Sequence, residues 1–424
     1  MQISHQKISG WGNYPQIQAN VATPDTLEEL QQYIISQPSI ITRGNGKSYG
    51  DASLGSHVVS TSRFKKLISF DSENGIVECE SGMLLAELLP IIVPEGWFFQ
   101  VTPGIKNITI GGAIASDVHG KNHPGKACFS SHLLSFKLMQ ADGQMITCSR
   151  TENTDVFWQS CGGMGWSGVI TSARIQLMRI SSTRMNQRTI RCENLEQLFK
   201  AFSENESSAY AAAWVDTTSK GKSFGRGALH LADHQTGTQA LNWPRKKAFT
   251  IPAFAPEWLL NSLTIRVFNE LIYRRNKSQD KIVEMDAFFY PLDVLNHWNR
   301  MYGRRGLVQY QFCLPENQAF EGMQKILNHI SRSSETPFLS VLKRHGDRPP
   351  EAINSFPIKG YSLALDFPRT KGICAFAKEL DEMVWSFNGK IYLTKDACSK
   401  PKMGRVDPHG FSPKFSSALR ERIS

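Results

Sequence analysis

Between Thr109 and His123 the chain reads Thr-Ile-Gly-Gly-Ala-Ile-Ala-Ser-Asp-Val-His-Gly-Lys-Asn-His, which joins a glycine turn, a small apolar run and two histidines. Gly111 and Gly112 let backbone N–H groups come close to a phosphate, and Ala113, Ala115 and Ser116 leave room beside the chain for a large flat ligand. His119 would then sit next to that ligand. Taken alone, the segment fits equally well a small-residue helix start followed by a polar loop.

A second glycine loop weighs toward the ligand. Pro24-Asp25-Thr26 opens an amphipathic helix with Leu27, Leu30, Tyr33 and Ile34 at helical spacing, and Ser39 to Thr42 reads as a short strand. Directly after it comes Arg43-Gly-Asn-Gly-Lys-Ser-Tyr-Gly50. A strand that runs into a loop with three glycines suits backbone capture of a pyrophosphate, with Lys47 and Ser48 adding charge and a hydroxyl donor. A plain glycine turn between strands is the alternative.

At 424 residues the chain exceeds what one core usually supports, so two domains are expected. No apolar run approaches the roughly 20 residues a bilayer span demands, and the first residues lack the apolar core of a signal peptide, so a cytoplasmic protein is expected. The eight cysteines include no Cys-x-x-Cys pair, which predicts reduced, mostly buried thiols rather than a zinc site or a disulfide framework. A net charge of +10 favours an anionic partner: a phosphorylated substrate, a membrane surface or nucleic acid. No nucleic-acid-binding motif accompanies it, so no nucleic-acid partner is expected.

Gly75 to Ser81 alternates like a strand, Leu84 to Val93 reads as a helix, Val101 to Gly104 as a turn, and Leu133 to Gly143 with Gln144 to Cys148 as a hairpin. Gly163-Met-Gly-Trp-Ser-Gly168 matches the dinucleotide fingerprint formally, but a helical stretch precedes it and the strand Val169 to Met178 follows, the reverse of the required context. These backbone groups remain free to touch another cofactor. From about residue 180 polar stretches lengthen, which marks a domain boundary. Trp243 to Trp258 mixes aromatics with Arg and Lys, fitting either a solvated loop or a membrane-surface contact.

Together these motifs carry a resemblance. Arg43 to Asp51, Thr102-Pro-Gly104, Thr109 to Gly120 and Gly168-Val-Ile170 resemble, in order, the FAD-binding domain of vanillyl-alcohol-oxidase-type (PCMH) flavoproteins. His119 to His123, Tyr290 to Asp293, Trp298 to Arg300, Gln309 to Phe312, Asp366 to Pro368 and Tyr392 to Asp396 are similar to the decaprenylphosphoryl-ribose oxidase branch, over nearly the whole chain. The resemblance implies a two-domain α+β flavoprotein: an FAD domain over 1–178, a substrate domain with an antiparallel sheet flanked by helices over 179–389, and a segment 390–424 returning to the FAD domain. It implies FAD held by Arg43, Gly44, Asn45, Gly46, Lys47, Ser48, Tyr49, Gly50, Gly104, Thr109, Ile110, Gly111, Gly112, Ser116, Asp117, Val118, His119, Ile170 and Tyr392. The attachment is expected to be non-covalent, because relatives that bond the flavin through the first loop use a histidine where this chain has Lys47.

By the same resemblance Tyr49, Trp214, Gln309, Gln311 and Lys343 bind substrate, while Lys395 and His119 carry the chemistry. Hydride removal from a secondary alcohol also releases the hydroxyl proton, which calls for a base or a cationic stabiliser. Amide side chains suit sugar hydroxyls, and Gln309 and Gln311 share one face of an alternating strand. No metal is expected, since His119 and His123 have no carboxylate or thiolate at ligand spacing. The implied reaction oxidises a phosphorylated or polyprenyl-phosphate sugar to a keto sugar, as one half of an epimerisation completed by a short-chain reductase, with peripheral membrane contact. The alternative is an aldonolactone or alditol oxidase that uses oxygen and a soluble sugar. Three departures bear on substrate identity. Ser362-Leu-Ala364 stands where the branch has Asn-x-Cys, His345 replaces an aromatic, and Cys398 to Arg405 replaces a longer helical segment.

Overall fold

The computed structural model describes residues 1–237, 241–243, 248–399 and 410–424. Thr26 caps the helix Leu27–Ser36 by accepting from the Glu29 N–H, and Leu30, Tyr33 and Ile34 form its buried face, as their spacing predicts, while Leu27, in the first turn, is exposed. This helix packs on a four-stranded sheet ordered Gln2–Ser9, Gln16–Thr23, His57–Ser60, Ile41–Arg43. Its last three strands run parallel, so Ile41–Arg43 delivers the first glycine loop at its C-terminal end.

A second antiparallel sheet runs Leu67–Asp71, Ile76–Glu80, Val169–Arg179, Leu133–Met139, Met145–Ser149, with Trp97–Phe99 paired to the end of its central strand. The expected hairpin is there, closed at Gln140 to Gln144. Thr109 accepts from the Gly112 N–H and starts the short helix Ile110–Ala115, which packs on this sheet, so the second glycine segment is a helix start and a loop at once.

The third sheet has eight strands, in the order Gln279–Glu284, Arg184–Cys192, Gly227–His234, Tyr210–Val215, Leu339–His345, Gly360–Pro368, Leu307–Pro315, Lys390–Ile391. One face is apolar. Val308, Tyr310, Phe312, Leu342, Leu363, Leu365 and Phe367 pack there against the helices Leu195–Glu204, Glu316–Arg332 and Ile373–Ser386. The opposite face looks toward the two smaller sheets. The architecture is therefore α+β.

The C-terminal residues pack back onto the first sheet. Ile40 N–H donates to Lys414 O (2.8 Å), Ser416 N–H donates to Ile40 O (3.0 Å), and Trp166 Nε1–H donates to Ser417 Oγ (3.1 Å). Arg422 lies over the first glycine loop, donating to both Asp51 oxygens (2.9 and 3.0 Å) and to Asp396 (2.9 Å).

The expectation of uniformly reduced cysteines needs correction, because Cys374 and Cys398 form a disulfide while Cys79, Cys128, Cys148, Cys161, Cys192 and Cys313 are free and buried. Tertiary packing brings the helix Ile373–Ser386 beside the chain leaving Asp396, a proximity that spacing in sequence does not reveal. No helix among the described residues is long and apolar enough to cross a membrane.

Candidate active site

A cavity of about 400 Å³ lies where the three sheets meet, room for a ligand rather than a few waters. Its floor comes from the glycine segments. Gly44 to Tyr49 line it from one side and Thr109, Gly111, Gly112, Ser116, Val118 and His119 from another, with Gly104, Ile170 and Tyr392 between. The rejected fingerprint also reaches it: Met164, Gly165 and Gly168 line the cavity, held by Met164 N–H donating to Ala115 O (2.9 Å).

Four of the residues expected at the cofactor stand behind the lining instead. Arg43 is turned away to Ser9 O (2.7 Å) and Ser53 Oγ (3.2 Å). Gly50 is needed because a Cβ there would meet Asp396 O at 1.7 Å. Ile110 is fully buried core, and Asp117 accepts from Ser130 N–H, Ser130 Oγ–H and Ser355 Oγ–H. They shape the loops without lining the cavity.

The lining suits a dinucleotide. Among the described residues the N–H groups of Asn45 to Ser48 have no protein acceptor, and Thr42 Oγ1 and Ser81 Oγ are buried in the cavity wall without a partner. Buried hydroxyls left without a partner are costly unless a ligand meets them. Lys47 stacks its ammonium 3.5 Å from the Trp11 ring, and burial pushes it down to about 8.

The other wall is one face of the large sheet, built by register. Gln309 pairs with Asp366, Gln311 with Ala364, Leu339 with Asp366, Val341 with Ala364, Lys343 with Ser362, and Trp214 with Val341. Side chains alternate along a strand, so Gln309, Gln311, Val341, Lys343, Ser362, Ala364 and Trp214 share this face, and all of them line the cavity. Tyr49 and Lys395 face them. The tail enters through Tyr392 N–H donating to Gln311 O (2.9 Å) and Tyr392 Oη–H donating to Ser116 O (2.9 Å). The turn that follows sets Lys395 Nζ 4.0 Å from the centroid of the Tyr49 ring.

Charge in this wall is lopsided. Burial pushes Lys343 down to about 8, and burial together with the Lys343 charge brings Lys121 to about 7. Lys395 is also lowered by burial and by Lys343, while buried Asp366 opposes that shift and is itself raised by burial. Asp366 accepts from Gln309 Nε2–H, which fixes that amide. Burial holds His119 well below the usual imidazole range, so it is neutral, and its Nε2 lies 3.0 Å from Gln311 Nε2.

His345 and Ser362 form a local unit that neither side chain predicts alone. His345 Nε2 lies 2.7 Å from Ser362 Oγ, and its Nδ1 is buried without a partner. A stranded lone pair costs less than a stranded N–H, so Nε2 carries the proton and donates, leaving the Ser362 hydroxyl hydrogen for the cavity. His123 stacks edge-on against His345 with ring centroids 4.7 Å apart. Among the described residues no group of three or more His, Cys, Asp or Glu is placed to share a metal ion.

Lys121, Asp366, Thr42 and Ser81 are site residues to which sequence reasoning assigns no role, and Ser362 stands out there only as a departure from the branch. Lys121 had a signal, standing two residues after His119 in a glycine-lysine-asparagine loop. The others depend on strand register.

These features fit a flavin-dependent oxidoreductase, and comparison with known proteins shows that class. Residues 15–149 match the family described as FAD binding domain. The chain is 31% identical to decaprenylphosphoryl-beta-D-ribose oxidase of Mycolicibacterium smegmatis across 99% of this chain and 94% of that one, and it belongs to that enzyme's family. Mouse L-gulonolactone oxidase is 29% identical over 31% of this chain and 30% of its own. D-arabinono-1,4-lactone oxidase of Yarrowia lipolytica is 25% identical over 41% of this chain and 34% of its own. The chain is therefore an FAD-binding oxidoreductase that acts on CH–OH groups.

Proposed function

We propose that this enzyme oxidises a secondary hydroxyl of a phosphorylated or polyprenyl-phosphate sugar to a ketone. The observation that carries the reading is the wall of Gln309, Gln311, Lys343 and Lys121 facing Lys395 across one cavity. Three half-buried lysines lining the cavity near the Asp366 carboxylate suit an anionic ligand, and the two amides suit sugar hydroxyls. Bound FAD supplies the hydride acceptor. Among the described residues the N–H groups of Asn45 to Ser48 are open to its phosphates and would hold them. Thr109 would wall it together with Gly111, Gly112 and Ser116, whose N–H groups are taken up within the protein, and Lys47, an amine, would leave it non-covalently bound. Trp214 and Tyr49 wall the sugar, and Ser362 donates to one of its oxygens. Lys395, lowered by burial, takes the hydroxyl proton as the C–H bond breaks, while neutral His119 holds the alcohol oxygen in line. A short-chain reductase returns the ketone to the epimeric alcohol, and the lipid tail of the substrate brings the enzyme to a membrane surface.

Anaerobic mixing with a short prenylphosphoryl-ribose is expected to bleach the flavin band. Bleaching by soluble aldonolactones alone, with hydrogen peroxide formed stoichiometrically in air, would favour the lactone-oxidase reading that the partial matches to those enzymes support. Acid precipitation is expected to leave the yellow colour in the supernatant; colour retained in the pellet would mean a covalent link.

The pH profile of flavin reduction tests the base. A lysine base works deprotonated, so the rate rises with pH and levels off above its pKa, with a midpoint below the ordinary lysine value of 10.5. The Lys343 charge lowers that pKa and the Asp366 charge raises it, so Lys343→Met is expected to move the midpoint up and Asp366→Asn to move it down. Midpoints that stay put in both variants would remove Lys395 from the role.

A further inference from the structure

The helix Ser262–Arg275 presents a face that the enzyme's interior does not explain. Its inner side is firmly anchored. Ile265 and Phe268 pack in the apolar cluster that also holds Tyr49, Trp298 and Phe338, and Asn269 donates to Asp216 (3.0 Å). Asn261 caps the start by accepting from the N–H groups of Leu263 and Thr264. Its outer side carries Leu263, Val267 and Leu271, which are 68%, 53% and 61% exposed. Spacing of four residues sets these three in one stripe along the helix.

Further exposed apolar side chains lie close by in sequence. Among the described residues, nearly half of the large apolar side chains that stand out in solvent fall within residues 249–294, including Trp258 at 72% just before the helix. A stripe of exposed large apolar side chains along one helix face is a surface of the kind that marks an interaction site. Basic side chains predominate beside it, and the acids Glu270 and Glu257 are each held in ion pairs. Arg266 and Arg275 flank the stripe and are exposed, Arg274 and Lys277 follow at its end, and the helix's one acid, Glu270, is taken up by Arg226 (2.6 Å) and Arg274 (2.6 Å). An apolar stripe bordered by arginines fits the boundary between anionic headgroups and acyl chains.

The position also fits. The cluster beneath the helix includes Tyr49 and Leu292, both of which line the cavity. We infer that the outer face of Ser262–Arg275 docks the enzyme on an anionic lipid surface, inserting Leu263, Val267 and Leu271 among the lipids with the cavity behind them. The inference rests on the reading of the substrate as lipid-linked, and it names the surface that meets the membrane.

The test uses FAD-loaded enzyme and two vesicle compositions, phosphatidylcholine alone and phosphatidylcholine with phosphatidylglycerol. Wild type is expected to float with the anionic vesicles and to be released by salt. Leu263→Glu, Val267→Glu and Leu271→Glu combined are expected to lower partition by roughly tenfold or more. These side chains lie on the outside, so thermal unfolding and flavin bleaching by the short prenylphosphoryl-ribose should stay at wild-type values in the variant. No flotation by wild type, equal flotation on neutral vesicles, or undiminished flotation by the triple variant would overturn the inference. A wild-type dimer that the triple variant converts to monomer would also overturn it, assigning the face to a second copy. Failure of bleaching with flotation intact would instead count against the proposed substrate.

Discussion

Lys395→Ala is expected to keep FAD and lose its reduction by substrate, by roughly 10³-fold, the usual span for a positioned proton acceptor. The side chain lines the cavity without belonging to either glycine segment, so cofactor retention should not depend on it. Its place is set by backbone: Lys395 N–H donates to Tyr392 O (3.0 Å), and the next residue, Asp396, is gripped by Arg422. Lys395→Arg separates the two roles a lysine can play. A guanidinium keeps the charge but does not give up its proton near neutral pH, so the arginine variant is expected to be as slow as the alanine one. Wild-type reduction in Lys395→Ala, measured by anaerobic stopped flow, would remove the residue from the chemistry. Recovery in Lys395→Arg would assign it to charge stabilisation.

Arg422→Ala is expected to cost about 3 kcal/mol of stability, because it strands two buried carboxylates. Asp51 and Asp396 have side chains only 4% and 3% exposed, and Arg422 bridges them. Asp51 follows the first glycine loop and Asp396 follows Lys395, so this one guanidinium ties cofactor loop, tail and base together. The variant should therefore also release FAD more readily. Burial and the charge of Asp396 already raise the Asp51 carboxyl, and losing Arg422 raises it further. A carboxylate with a raised folded pKa destabilises above that pKa and is relieved by protonation, so the deficit should narrow as pH falls. Thermal unfolding across acidic and neutral pH checks both points. A deficit that is absent, or that widens toward acid, would contradict this account of the clamp.

Local pattern made much of the framework legible. The helix Leu27–Ser36, the hairpin Leu133–Met139 with Met145–Ser149 and the strand Val169–Arg179 follow from apolar spacing and turn residues, and both glycine segments border the cavity. Alternation also places Gln309 and Gln311 on one face. What alternation leaves open is which strand lies alongside. Only the pairing of Leu307–Pro315 with Gly360–Pro368, and of that strand with Leu339–His345, brings Asp366 to Gln309 and Ser362 to Lys343 and His345. Thr42 and Ser81 look ordinary in sequence, and their importance lies in hydroxyls buried beside the cavity without a partner among the described residues. Arg43 and Asp117 sit inside matching motifs yet turn their side chains into loop scaffolding, a choice made by neighbours such as Ser9 and Ser355. The bond between Cys374 and Cys398 likewise depends on how the last helix of the large sheet meets the tail. Of the basic aromatic segment, Pro244 to Lys247 lie outside the described residues, as do Lys400 to Arg405 of the expected tail. Trp243, at the edge of the first, packs with Phe98 at 6.2 Å and Tyr290 at 6.3 Å rather than facing a membrane.

The most direct measurement is an anaerobic titration of the purified yellow protein with short-chain and polyprenyl-phosphate sugars, followed in the visible spectrum. The account predicts stoichiometric bleaching by a sugar phosphate and recovery of a keto sugar. Folded protein that takes up no FAD, or FAD-loaded protein that no sugar phosphate bleaches, would contradict it.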